Sequence, residues 1–312
     1  MDSSRLLKRY LSSGYKAVSG WLGPETMAQI LAIHQVQQRL GISGAVGEIG
    51  VHHGKLFILL YLLASADEAA VAVDLFDAQE LNIDKSGRGD FGLFTANLKH
   101  HAGDLSRLKV IGTDSTRIGG REILAATGRP LRLFSIDGGH LASIVRHDLN
   151  TAAESLGDGG VVILDDYFNP EFPGVSEGTN RFFFTDNGRV GKALVPFLIG
   201  MNKLYLTTAG RAEAFLDHFC RKDLGRPLDS VVKFDTYPTR TTTVFVTELF
   251  GATVLAYSPD RFGLGERMRR SFRAGLIRAR GQLGDSALGR KLRGSGLGHW
   301  IRRAADYLAP YR

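Results

Sequence analysis

The chain has 312 residues, 44% hydrophobic and 23% charged, which is enough to bury a sizeable core and ordinary for a soluble globular protein. Its single cysteine, Cys220, excludes an internal disulfide and fits a reducing, cytoplasmic compartment. The net charge of +7 is concentrated at one end, because residues 261–312 carry thirteen Lys/Arg against three acids and leave the rest mildly acidic. The N-terminus has no unbroken apolar stretch, so no signal peptide is expected. The longest apolar run, LFILLYLLASA (56–66), is too short to span a bilayer and reads as a core helix.

In chain order, GPETMAQILAIHQVQQRL reads as a helix with Pro24 in its first turn, and AVGEIG (45–50) as a strand ending in glycine. The apolar helix after Lys55 leads to strand AVAVDLF (70–76), and LKVIGTDS (108–115) is a third strand. Helix REILAATG (121–128), strand PLRLFSID (130–137), helix 140–157 and strand GVVILDDY (160–167) complete the alternation. Continuous Val/Ile/Leu runs indicate parallel strands buried on both faces, and repeated strand–helix–strand units imply a doubly wound α/β sheet with helices on both sides. Beyond residue 170 come KLYLTTA (203–209), a helix over AEAFLDHFCRKDLG, and the pair VVKFDTY and TTTVFVTEL, read as an antiparallel hairpin. The expected organisation is an N-terminal helical lid or interaction segment (1–40), a sheet domain (41–250) and a basic, Arg-rich helical tail (251–312).

Open α/β sheets bind ligands outside the carboxyl ends of their strands. Strand one ends in Gly47-Glu48-Ile49-Gly50, and the dinucleotide pattern fails because His52 stands where a third glycine belongs. The carboxylate of Glu48 inside that turn suits a cationic ligand head better than a pyrophosphate, which points to S-adenosylmethionine. Asp74, ending strand two, is placed to accept from ribose hydroxyls or to cap the following turn. Asp114 and Ser115, ending strand three, suit the adenine edge or a helix cap.

Asp137 closes one buried strand, and Asp165 and Asp166 close another. Gathering three carboxylates in one cleft costs several kcal/mol unless a cation offsets repulsion and desolvation, and hard oxygen donors suit Mg²⁺ or another divalent cation. His140, three residues past Asp137, is placed to act as a general base. The alternative is that one Asp caps a helix and His140 is its N-terminal polar residue.

Together, GEIGVHHGK, VAVDLF, GTDS, SIDGGH and VILDDY resemble the class I S-adenosylmethionine-dependent methyltransferases over roughly residues 40–250. The D-x-x-H and D-D patterns are similar to metal-dependent O-methyltransferases, the mycinamicin-type sugar enzymes in particular and catechol O-methyltransferase more distantly. The resemblance implies a Rossmann-like sheet, Glu48, Gly50, Asp74, Asp114 and Ser115 at the cofactor, Asp137, Asp165 and Asp166 at Mg²⁺, and His140 as base. It also implies O-methylation of a sugar or glycosylated acceptor, of the kind found in polysaccharide biosynthesis.

Two loops are expected to select the acceptor: the polar insertion DAQELNIDKSGRGDFG (77–92), and 167–183, where Tyr167, Asn169 and Glu177 could reach a sugar. His52 and His53 are ordinary loop residues packed near the cofactor or contacts to it, and Tyr10 and Trp21 belong to a lid or a homo-oligomer surface. Alternating Arg and apolar residues in the tail suit peripheral docking at the inner face of a membrane or on an anionic glycan. The alternatives are a catechol-like acceptor, a nucleic-acid-binding protein using the tail, or an inactive cofactor domain. The acidic body disfavours nucleic acid, and the intact acid and histidine sets disfavour loss of activity.

Overall fold

The computed structural model describes residues 3–220, 232–236 and 240–259. The expected basic tail beyond residue 259, and whatever it binds, lies outside the described residues.

Among the described residues, ten strands form one sheet: β1 Ala45–Ile49, β2 Ala70–Asp74, β3 Leu108–Gly112, β4 Leu131–Ile136, β5 Leu156–Leu164, β6 Leu194–Gly200, β7 Lys203–Thr208, β8 Val232–Thr236, β9 Arg240–Leu249 and β10 Ala252–Pro259. Their spatial order is β3-β2-β1-β4-β5-β7-β6-β10-β9-β8. Strands β1 to β5 pair in parallel. Strand β7 then runs antiparallel to both β5 and β6, and β8–β9 is the expected antiparallel hairpin. The α/β, mostly parallel reading is therefore right.

The apolar runs behave as two-sided strands. Val46, Leu133, Val161 and Ile163 enter one core with the helices Pro24–Arg39 and Lys55–Leu63, whereas Ile49, Phe134, Val162 and Leu164 enter the other with Ala142–Ser155. Each fully buried Leu, Ile, Val or Phe contributes about 1.5–3 kcal/mol. The N-terminal segment is part of this packing: Tyr10, Val18 and Leu22 are buried, Tyr10 Oη donates to the Lys55 carbonyl, and Lys55 Nζ donates to the Gly20 carbonyl at 2.9 Å.

Three elements were not legible in the sequence. The helix Phe91–Ala102 starts at Asp90, whose carboxylate accepts from the Leu93 amide at 2.7 Å. Strand β6 holds Pro196 beside a register shift, where a ladder tolerates a residue without an N–H. Strand β10 pairs with β9 and, in parallel, with β6.

Strand order reverses between β1 and β4, and their ends are locked in register there. The Asp137 amide donates to the Ile49 carbonyl at 2.9 Å, and the Asp165 amide to the Ile136 carbonyl at 3.0 Å. This switch point brings the five strand-end motifs to one edge of the sheet.

Candidate active site

Gly50 is the pivot of the site. Its φ is +83°, and a Cβ there would lie 1.8 Å from the Asp137 carbonyl oxygen, so only glycine lets the end of β1 pass the end of β4 this closely. Beyond it opens a cleft of about 730 Å³ lined by Gly50, His52, Asp74, Asp114, Ser115 and Asp137, together with residues 79–89. Of the expected cofactor residues all but Glu48 line this cleft. Glu48 is buried on β1 with Oε2 unpartnered, and burial, reinforced by Asp137, raises its carboxyl well above the usual range.

The carboxylates of Asp74 and Asp114 also order the backbone. Asp74 accepts from the His52 amide at 2.8 Å and the Phe76 amide at 2.7 Å, and Asp114 accepts from the Thr116 amide at 2.9 Å. Each oxygen keeps lone-pair capacity for a ligand hydroxyl or amine. His52 stacks on His53 at 3.8 Å, and the tilted Trp21 ring lies 5.7 Å from His52.

A second cleft, of about 1230 Å³, adjoins the first and shares Ser86, Gly87 and Asp137 with it. Its walls include His140, Asp165, Asp166, Asn169, Lys203 and the 72%-exposed Trp21. Asp137, His140 and Asp166 can each turn a ligand atom to within 4.8 Å of the others. That set differs from the expected Asp137, Asp165 and Asp166, and strand register explains why. Strands β5 and β7 pair Leu164 with Leu204, which sets Lys203 opposite Asp165, and the two buried side chains form an ion pair. Asp166 takes a left-handed φ of 58° and turns to the other side, where Oδ2 lies 3.1 Å from His140 Nε2. Asn169 and Asn202 donate to its Oδ1. A non-glycine residue held in this region costs of order 1–3 kcal/mol, and such strain clusters at functional sites.

Lys203 carries the electrostatics and had no signal in the sequence beyond its place at the start of an apolar strand. Burial favours its neutral amine, but attraction to Asp165 and Asp137 outweighs this and raises its pKa. Burial and the neighbouring Asp165 push Asp137 well above the usual carboxylate range. His140 is opposed in the same way: burial disfavours its imidazolium, while Asp166 and Asp84 outweigh burial and raise its pKa. Its ring stacks on Phe172 at 3.8 Å and 13°.

Two expected acceptor residues stand elsewhere. Tyr167 is buried in the core, its carbonyl accepting from Ser176 Oγ on the helix Pro173–Arg181. Glu177 lies on that helix's exposed face, paired with Arg181. Asn169 does reach the cleft. The insertion 77–92 roofs the first cleft and touches the second through Ser86 and Gly87.

Residues 48–167 match the family model of a methyltransferase domain, a span running from Glu48 past the end of β5. No curated protein matches the chain. Among solved structures it is similar to the O-methyltransferase NovP (14% identity, 66% of this chain and 99% of that one, TM-score 0.49). It is also similar to CalS11, a TDP-rhamnose 3'-O-methyltransferase of calicheamicin biosynthesis (17%, 65% and 93%, TM-score 0.44). A third is MycE of the mycinamycin pathway, solved with Mg, SAH and mycinamycin VI (17%, 67% and 54%, TM-score 0.42). With its strand-end motifs assembled around one glycine pivot, the segment 48–167 is similar to a methyltransferase domain.

Proposed function

We propose that the protein transfers a methyl group from S-adenosylmethionine to a hydroxyl of a sugar or glycosylated acceptor, with a divalent cation, Mg²⁺ first, at the acceptor oxygen. The observation that carries this reading is the junction of the two clefts at Asp137, which puts a cofactor-sized space and a base-bearing space side by side. The residues fit a cation: Asp137 and Asp166 offer carboxylate oxygens, Asp165 is committed to Lys203, and His140 stands beside the two free acids as the base. When bound, the cofactor supplies an electrophilic methyl group and the cation acidifies the acceptor hydroxyl.

The chain's own part is alignment and proton transfer. Gly50 and residues 79–89 enclose the cofactor cleft, and His140 Nε2 takes the hydroxyl proton. Trp21 offers an exposed aromatic face, and Glu25, Asn169, Glu171 and Asn202 offer polar groups on the same cleft, a combination that suits the apolar face and hydroxyl rim of a pyranose. A phenolic acceptor draws support from Leu22, Phe172 and Met201 on the same cleft, while its polar rim favours the sugar. The basic residues of 261–312 would dock the enzyme, from the cytoplasm, on an anionic membrane face or glycan.

Calorimetric titration of S-adenosylmethionine, followed by Mg²⁺, tests this. Saturable cofactor binding and a separate Mg²⁺ heat that Asp166→Ala abolishes are expected. Cofactor binding with no metal heat would remove the cation from the mechanism, and no cofactor binding would sink the reading.

A further inference from the structure

The insertion 77–92 is a hydrogen-bonded frame. Asn82 Nδ2 donates to the Ser86 carbonyl at 3.0 Å and to Gln79 Oε1 at 3.2 Å, and Gln79 Nε2 donates to the Phe76 carbonyl at 2.5 Å. From this roof Asp84 reaches the neighbouring cleft. Its Oδ1 accepts from the Ser86 amide at 3.0 Å and from Ser86 Oγ at 2.7 Å, which fixes the carboxylate. Its Oδ2 accepts from the His140 amide at 2.7 Å and lies 2.9 Å from His140 Nδ1. The Ser86 amide and hydroxyl and the His140 amide all donate to Asp84, a set of donors that suits a carboxylate. A carboxylate only accepts, so Nδ1, bonded to Asp84, carries a proton, whereas Nε2 lies 3.1 Å from Asp166 Oδ2 without a hydrogen bond to it and faces the cleft, with Phe172 holding the ring plane.

We propose that Asp84 is a positioning residue for methyl transfer, holding His140 in the Nδ1–H tautomer with Nε2 aimed at the acceptor hydroxyl. The role rests on His140 acting as the base. In the transfer the acceptor O–H proton passes to Nε2, the oxygen bonds the methyl carbon, and the S–CH₃ bonding pair stays on sulfur. Asp84 stabilises the resulting imidazolium without taking the proton. Neither the strand-end motifs nor the expected acceptor loops assign Asp84 this role.

The test is ¹⁵N NMR of the full chain labelled at histidine, recorded at alkaline pH where the ring is neutral, with His140 assigned by the signals lost in His140→Ala. The wild type should show the Nδ1–H form, Asp84→Ala should shift His140 mainly to Nε2–H, and Asp84→Asn, whose carbonyl still accepts, should keep Nδ1–H. Binding of S-adenosylhomocysteine to the wild type is measured alongside by calorimetry. A wild-type ring in the Nε2–H form overturns the proposal even if Asp84→Ala does not fold. An unchanged tautomer in Asp84→Ala, with only stability or cofactor affinity lowered, also overturns it, since Asp84 would then merely tie the loop. A wild type that binds no S-adenosylhomocysteine removes the methyl-transfer reading instead, and the two failures are distinct because the tautomer is read without cofactor.

Discussion

Lys203 and Asp148 are two buried ionisable residues with opposite electrostatic situations. Lys203 has partners: its ammonium faces Asp165 directly and is attracted by Asp137 and Glu48. Lys203→Met therefore leaves buried carboxylates without their cation, and the expected cost is about 3–5 kcal/mol by urea denaturation at neutral pH. The double variant Lys203→Met/Asp165→Leu should recover most of it, because no buried charge of that pair remains. Asp148 is fully buried, and burial outweighs the Ser115 hydroxyl beside it and pushes its carboxyl up to about 7 from 3.8. Its native pKa exceeds the unfolded one, so stability falls as pH rises from about 4 to about 7, where the unfolded chain has lost the proton and the native chain still holds it. Asp148→Asn should match the wild type in acid and exceed it above neutrality by up to about 4 kcal/mol, at roughly 1.4 kcal/mol per pKa unit. Melting curves across pH check this, and a constant difference at every pH would refute it.

At the level of elements, the site depends on how closely the helix Pro173–Arg181 approaches the turn that carries His140. A Cβ on Gly174 would lie 2.4 Å from the His140 carbonyl oxygen, and one on Gly178 would lie 2.5 Å from the Ala142 carbonyl oxygen. The same helix begins just after Phe172, the ring stacked on His140. Gly174→Ala should thus cost about 1–3 kcal/mol in chemical denaturation, as overpacking does, and should loosen the Phe172–His140 stack. The elements themselves were unevenly legible. Continuous apolar runs marked β1, β2, β4 and β5, because both faces of those strands are covered. Strand β6 was missed because Pro196 reads against a strand and its tolerance depends on a bulge, which is a property of pairing and not of the segment. The helix Phe91–Ala102 was hidden behind the long polar loop that Asp90 ends.

For the whole molecule, the order of strand-end motifs was enough to place a ligand site at the carboxyl edge of a doubly wound sheet. Gly50, Asp74, Asp114, Asp137, His140 and Asp166 do meet there, because each strand of a parallel sheet delivers its last residue to the same edge. Partnership across that edge was not legible. Asp165 and Asp166 are adjacent in the chain and looked equivalent, yet antiparallel register gives one to Lys203 and a left-handed turn gives the other to His140. Tyr167 and Glu177 looked available and are committed to the core and to Arg181. Asp84 comes from 56 residues away to hold His140, and Trp21 reaches the second cleft from the N-terminal segment. The fold class and the gathering of acids and a histidine at one sheet edge were thus set by local pattern alone, since hydrophobic period and strand-end residue type are properties of short segments. Which acid is paired with Lys203, which one faces His140 and what holds His140 in place were decided only in the tertiary structure, because charge pairing depends on register and loop path between segments far apart in sequence.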